Sequence, residues 1–543
     1  MTSPGGPTDE SRAAGAAERS ALARRAGVVG AGTLLSRVLG LVRDQTLAAL
    51  FGRGETDAFW VAFTIPNALR QLLAEGAMSS AVVPVLAEVR AREGDDAARL
   101  FLRRMRGVSL VALVLACVAG IAFAPQLVEL FAGGLHQRAG GAFERTVSLT
   151  RWVFPYLLFM GSAALGMAAL NTWGRFAAAA FAPGLLNVAF IVCAFGLPAW
   201  LAAHGHDRLL ALAAGALVGG ALQVVAQVPA LRAIGVAGWP RFTLRDPRVR
   251  QVLRRMVPML AGIGVYAVDL MIARRFLSSL PEGSQSWFSW AMRLCDFPQG
   301  IFVLALQAAT LPSLAKLAAA GMEEEVEATY AYGMRLAMFV AVPATALVVG
   351  LARPLVVLLF ERGAFDALSS TETAHALVAQ GVGIWTVAAV RQLLPVFYAL
   401  GDTRTPVLVS AIDLIAFIVL AFVLRGPLGH VGVGWAVAGS SFVQMALLWA
   451  TLGRRLRSLR LGEIAASVAR TAAASVLAAV GAATAARLAY VGPGPLARLL
   501  PGAAGLAAFG AIFVAAAWAL GSTELEALLG AAARRLRARR GRV

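Results

Sequence analysis

Ionic side chains are scarce in this chain: 15% of its residues are Asp, Glu, Lys or Arg, against about 25% in an ordinary soluble domain. That shortage excludes a soluble enzyme of usual composition. With 59% hydrophobic residues and a mean hydropathy of +0.72, it places the chain among polytopic membrane proteins. Cysteine is nearly lacking, and Cys117, Cys193 and Cys295 stand apart in or near apolar runs. No paired spacing exists to suggest a disulfide framework or a zinc site. The five histidines are scattered and suggest no Ser-His-Asp set. There is no GxxxxGK[ST] phosphate loop, which excludes ATP hydrolysis by that route. A cleavable signal peptide is also missing. The first residues are polar and rich in Gly, Ala and Arg, without a short apolar core and cleavage site. The first apolar run is therefore expected to remain as an anchor behind a disordered leader.

What the chain does have is long apolar runs. About 20 apolar residues suffice to cross a bilayer. Fourteen such runs are legible: 27–51, 57–88, 106–132, 147–172, 177–203, 208–234, 251–280, 286–316, 330–360, 371–400, 405–424, 430–453, 463–490 and 496–520. They are too long for barrel strands and lack strict alternation, so each predicts a helix. The expected fold is an all-α polytopic membrane protein of about 14 transmembrane helices.

The formal net charge is +19, and its distribution follows a bilayer rather than a nucleic acid, for which no binding motif occurs. Arginines collect in the second loop (Arg90, Arg92, Arg99, Arg103, Arg104) and the sixth (Arg241, Arg245, Arg248, Arg250). The twelfth loop (Arg454, Arg455, Arg457, Arg460) and the tail carry the rest of the excess. The positive-inside rule then sets both termini in the cytoplasm. The basic tail reads as an anchor against anionic membrane lipids.

A faint repeat runs through the chain. Pro125–Phe131 resembles Pro354–Phe360, Val83–Glu88 resembles Leu311–Lys316, and Ile65–Asn67 resembles Phe297–Gln299, all at nearly one offset. This suggests duplication of a six-helix unit, which predicts two pseudo-symmetric lobes with substrate bound between them near the midplane. The expected division is a disordered cytoplasmic leader (1–25), an N-lobe (26–236), a C-lobe (237–457), two further helices (458–522) and a basic cytoplasmic tail (523–543).

The first two spans carry charges where lipid penalises them. Arg37, Arg43 and Asp44 lie in span one, and Arg70 and Glu75 in span two. Each charge near the bilayer centre costs at least ~2.5–3.5 kcal/mol. Arg37 is about ten residues into its span, or ~15 Å deep. These arginines are expected to face a wet cavity for an anionic substrate, joined by Arg293 from the second half. Guanidinium donors match phosphate and pyrophosphate in a bidentate fork. The alternative is internal salt bridging, with Asp44, Glu75 and Asp296 available as partners. Asp269 and Asp413, with Ser410, form a candidate cation or proton site; ion pairing of the acids with Arg274, Arg275 or Arg293 is the other reading. Pro66, Pro84, Pro298, Pro312 and Pro343 fall inside apolar spans, as hinges or static kinks.

The segments SRVLGLVRD, TDAFWVAF, IPNALRQLLAEGAMSSAVVPVLAE, FERGAFD and YALGDTRTPV resemble the MurJ (MviN) lipid II flippases of the MOP exporter superfamily. The resemblance covers essentially the whole chain after the leader. It implies a fourteen-helix fold of two six-helix lobes and two extra C-terminal helices, the latter forming a groove for a polyprenyl tail. It implies movement of lipid II from the inner to the outer leaflet of the bacterial cytoplasmic (inner) membrane, with no bond broken and hence no enzyme. It also implies coupling to Na+, H+ or the membrane potential rather than a bound cofactor, and work alongside the cell-wall synthesis machinery. Arg37, Arg43, Arg70 and Arg293 match the family's cavity arginines, and Asp57 and Glu75 its acidic positions. Asp296 keeps an acid. Met292 departs from the pattern, since the family often has an acid there. Asp269 and Asp413 fall in two of the three spans that build a sodium site in some members. The alternatives are a MATE-like exporter of cationic drugs, which predicts an acid-dominated cavity, a polysaccharide-lipid exporter, or a non-transporting scaffold.

Overall fold

The computed structural model describes residues 9–71, 77–138, 140–236, 238–490, 492 and 494–530. Every regular element among them is helical, as a bilayer without water to satisfy open backbone groups requires. The first half of the chain forms α1 (Asp9–Leu50), α2 (Arg53–Arg70), α3 (Ala77–Ala122), the short α4 (Ala124–Ala132), α5 (Ala142–Val153), α6 (Tyr156–Thr172), α7 (Phe176–Gly196), α8 (Pro198–Ala203) and α9 (Leu210–Ala233). The second half begins with α10 (Pro247–Ser278), α11 (Ser284–Pro298), α12 (Leu304–Ala319), α13 (Glu323–Gly350) and α14 (Ala352–Phe360). It closes with α15 (Ala367–Gly381), α16 (Ile384–Ala399), α17 (Arg404–Leu452), α18 (Leu461–Leu488) and α19 (Pro495–Ala519).

Two of these helices break at glycines. Gly94 (φ 86°) divides α3, and Gly429 (φ 58°) divides α17, both within stretches read as loops. The five prolines singled out above all lie inside helices. At the other extreme, α1 reaches back to Asp9, well into the stretch expected to be a disordered leader. Alanine, glutamate and arginine dominate residues 13–25, and all are strong helix formers.

Nine described helical stretches are long and apolar enough to cross a bilayer. They cover ten of the expected spans, since Arg404–Leu452 holds two. The four spans outside that set are the first, second, seventh and eighth. These are the helices that carry Arg37, Arg43, Arg70, Asp269 and Arg293.

The chain folds into two compact units. The first takes in residues 1–47, 61–129 and 140–267. A large buried cluster joins α3, α6 and the start of α10 through Phe101, Leu102, Met105, Leu165, Leu170 and Val249. Small residues let α9 approach α7 closely: a Cβ on Gly215 would stand 2.9 Å from the Phe190 Cα, and one on Gly219 2.8 Å from the Leu186 Cα.

The second unit comprises residues 48–60, 130–139 and 268–543. It therefore includes two short strips that precede residue 237 in the chain. Its helices repeat the order of the first half: short α14 follows α13 as short α4 follows α3, and a helix pair then follows each. In α18 and α19, Ala478, Ala482 and Phe509 pack with Leu351 and Leu355 of the α13–α14 corner.

Candidate functional site

In the first unit, Asn187 of α7 bonds to α1 at two points. Asn187 donates from Nδ2 to the Ser36 carbonyl at 2.9 Å. Its Oδ1 accepts from Arg43 Nη1 at 3.1 Å. Arg43 also donates to Asp44 Oδ1 from Nε and Nη2, at 2.9 and 2.6 Å, and lies 5.4 Å from the Phe190 ring centroid. Arg43 and Asp44 are both buried. Arg43 and Asp44 thus form an internal ion pair.

Arg37, six residues earlier on α1, is half-buried. Arg70 ends α2 half-buried and donates from Nε to Asn67 Oδ1 at 2.9 Å. Glu75 lies outside the described residues.

The second unit contains a charged clasp that the sequence did not disclose. Asp57, expected among the cavity acids, is 1% exposed. It caps the start of α11 instead: Oδ2 accepts from the Gly283 N–H and Oδ1 from the Ser286 N–H, both at 2.8 Å. Ser286 Oγ donates to the same Oδ1. Arg138 Nη1 completes the clasp at 2.7 Å from Oδ2 and donates from Nη2 to the Leu280 carbonyl. The open N–H groups and positive dipole end of a helix N-terminus favour a carboxylate there.

One turn further along α11, Arg274 of α10 is buried, with Nη1 donating to Gln285 Oε1 at 3.0 Å and to Ser289 Oγ at 2.8 Å. Its guanidinium lies 6.0 Å from the Trp60 ring centroid, and Trp60 meets Trp290 edge-on at 5.0 Å.

Beyond this belt, α11 presents Arg293 and Asp296 as exposed side chains three residues apart. Met292 turns the other way and packs, partly buried, against the cluster of Phe288, Phe417 and Ala421. An acid at that position would face apolar neighbours, which accounts for methionine. The helix then gives way to a π-helical turn, Gln299–Val303, before α12. Such turns leave the regular hydrogen-bond ladder and recur at functional positions.

Asp269 on α10 and Asp413 on α17 are half-buried and close enough to feel each other's charge. Ser440, on the far side of the Gly429 break, neighbours Asp413 and donates to the Val437 carbonyl at 3.3 Å. Ser410 accepts from Gln444 Nε2 at 3.3 Å. Among the described residues no three His, Cys, Asp or Glu side chains gather as a metal cluster. A cation here would therefore draw on two carboxylates plus hydroxyl and amide oxygens, a set suited to a hard ion such as Na+.

The structure aligns with solved transporters over most of its length. It matches one described as the lipid II flippase MurJ in an inward closed conformation, at a TM-score of 0.72 and 19% identity, covering 91% of this chain and 99% of that one. It also matches an inward-facing MATE family transporter of the MOP superfamily, at a TM-score of 0.62 and 16% identity over 78% of this chain and 96% of that one. The fold is thus that of MOP-superfamily transporters. Residues 47–500 match the family model for lipid II flippase MurJ. The lipid II flippase MurJ of Burkholderia cenocepacia is 37% identical over 499 residues, 90% of this chain and 95% of that protein. A probable lipid II flippase MurJ of Vibrio cholerae is 35% identical over 429 residues, 78% of this chain and 81% of that one. The chain belongs to the MurJ lipid II flippase family.

Proposed function

We propose that this chain carries lipid II from the inner to the outer leaflet of the bacterial cytoplasmic membrane by alternating access. Family membership across nearly the whole chain supports this reading. The observation that carries it to particular residues is Arg293: a guanidinium exposed within an expected span is too costly to face lipid, so it has water or an anion beside it. Arg37 and Arg70 supply two further forked donors from the first unit. These three are the groups that hold the pyrophosphate, while the polyprenyl tail stays in lipid along α18 and α19. Arg43, already engaged by Asp44 and Asn187, sets the position of α1. No bond in the substrate is broken.

Drive comes from an ion gradient or the membrane potential, with Asp269, Asp413 and Ser410 as the cation or proton site. One elementary charge moved across 100 mV is worth ~2.3 kcal/mol, enough to bias two conformations. Both termini lie in the cytoplasm, where the basic loops meet anionic lipids and the cell-wall synthesis machinery delivers the substrate.

The test is replacement of the host's own flippase by this chain. Wild type should restore the outer-leaflet lipid II pool, and Arg37→Glu should leave lipid II on the inner leaflet. Restoration by Arg37→Glu at wild-type levels would overturn the site assignment. Failure of the wild type to restore the pool, with the protein folded in the membrane, would overturn the function.

A further inference from the structure

We propose that the first unit carries a separate binding site, enclosed by α3, α6 and α9, for a phospholipid whose head bears both a phosphodiester and a free hydroxyl. This inference stands apart from the transport reading and uses none of its residues.

The site is a cavity of about 110 Å³ lined by Arg106, Ser109, Leu110, Ser162, Gln227 and Pro240. Gln227 is 1% exposed, and neither its Oε1 nor its Nε2 has a hydrogen-bond partner. A buried amide with both ends open is costly, and such groups ordinarily find partners. Gly166 makes room for it, since a Cβ there would stand 2.3 Å from Gln227 Oε1.

Arg106 adds charge to the same cavity. Its Nη1 donates to the Val236 and Gly238 carbonyls at 2.9 and 3.2 Å, which fixes the guanidinium plane and ties it to the 235–246 loop. Among the described residues Nε and Nη2 make no hydrogen bond and no carboxylate pairs with this arginine. A cation held without an anion, beside an amide offering one donor and one acceptor, is complementary to a specific ligand chemistry. The Nε–Nη2 edge suits two phosphate oxygens. Gln227 Nε2 suits an ester or phosphate oxygen, and Gln227 Oε1 needs a donor, which a head-group hydroxyl provides.

The surroundings favour a lipid as the source of that phosphate. Leu110 on the cavity wall is exposed and continues outward along α3 as exposed Val111 and Val114, an apolar lane for an acyl chain. Beside Pro240 the loop exposes Trp239 and Phe242 next to Arg241. Aromatic rings with adjacent arginines are the residue types that settle at a membrane interface facing anionic heads. The phospholipid is therefore one from the leaflet that this loop faces.

The experiment measures thermal unfolding of the full chain in detergent, followed by tryptophan fluorescence, with added short-chain phosphatidylglycerol, phosphatidylcholine or inorganic phosphate. Phosphatidylglycerol should raise the midpoint by about 3 °C or more at saturation. Phosphatidylcholine, lacking the hydroxyl, should give less than half of that, and inorganic phosphate none. Gln227→Leu should raise the lipid-free midpoint, because it removes the open amide, and should abolish the phosphatidylglycerol increment. Arg106→Gln should weaken the lipid's half-saturation at least about tenfold. Equal increments in wild type and Gln227→Leu, equal increments from the two lipids, or no increment at all would overturn the proposal. An increment from inorganic phosphate matching that from phosphatidylglycerol would also overturn it, as a free-anion site.

Discussion

Arg138 and Asp57 meet at 2.7 Å, with the carboxylate 1% exposed and bonded to two backbone N–H groups at the start of α11. Removing Asp57 leaves the Arg138 charge and the α11 N–H groups without their acceptor. Asp57→Ala should destabilise the protein by about 3–5 kcal/mol, and Arg138→Ala by less, because the α11 N–H groups still hold Asp57. Thermal unfolding in detergent reads both. Midpoints within a degree of wild type for Asp57→Ala would show that the clasp adds nothing to stability.

Among the three proposed phosphate-binding arginines, lysine keeps the charge but loses the fork. Each of Arg37→Lys, Arg70→Lys and Arg293→Lys should weaken lipid II binding roughly tenfold, the ~1.4 kcal/mol of one lost charged hydrogen bond. Native mass spectrometry with a lipid II titration measures this. A lysine variant that binds as tightly as wild type would leave charge alone, without fork geometry, as the recognition element at that position.

Much of this architecture is legible in the sequence, and the reason is specific. Apolar runs in a bilayer admit helices alone, and the turns between them need glycine or charge. Gly94 and Gly429 accordingly break α3 and α17 inside stretches read as loops. The cation-bearing spans were also visible, because an arginine in an apolar run stands out. What stayed hidden depended on distance in sequence. Asp57 reads locally as a helix-start acid in TDAFW, yet its partners Gly283 and Ser286 are 226 and 229 residues away. Arg138 sits in a polar run with no periodicity, and Asn187 is one amide in an apolar helix. Nothing near either residue announces the contact it makes.

Asp269 and Asp413 provide a test of coupling. If they hold the driving cation, Asp413→Asn should abolish the dependence of lipid II transport on a sodium or proton gradient in reconstituted vesicles. Arg37→Lys should retain that dependence at a lower rate. Transport by Asp413→Asn that still responds fully to the gradient would place the ion elsewhere.

Gly363 makes a tight approach inside the FERGAFD motif. Its φ is +58°, and a Cβ would fall 2.1 Å from the Ala49 carbonyl oxygen, the same oxygen that accepts from the Ala364 N–H at 2.8 Å. Gly363→Ala therefore meets both a left-handed backbone and a carbonyl that cannot move without losing its hydrogen bond. We expect a loss of about 1–3 kcal/mol, visible as a lowered unfolding midpoint. A neutral Gly363→Ala would show that this loop shifts freely.

The loop before α10 has its own pH signature. Burial pushes the Asp246 carboxyl up, but the hydrogen bond from Arg104 at 2.6 Å, with the Arg248 N–H and the charges of both arginines, holds it below the usual carboxylate range. A depressed carboxylate stabilises the fold above its unfolded value near 3.9, and that contribution fades as pH falls through the lower folded value. The midpoint difference between wild type and Asp246→Asn should be full at pH 7 and shrink below about pH 4. A difference unchanged between pH 7 and pH 3 would assign the effect to packing.

Residues 48–60 and 130–139 precede the repeat boundary yet fold with residues 268–543. Severing the polypeptide near residue 237 would give the leading fragment two strips of its counterpart's interior, Asp57 and Arg138 among them. The trailing fragment, synthesised alone, would lack the carboxylate that closes α11. Split-gene versions of this protein should accordingly accumulate only when both fragments are made together.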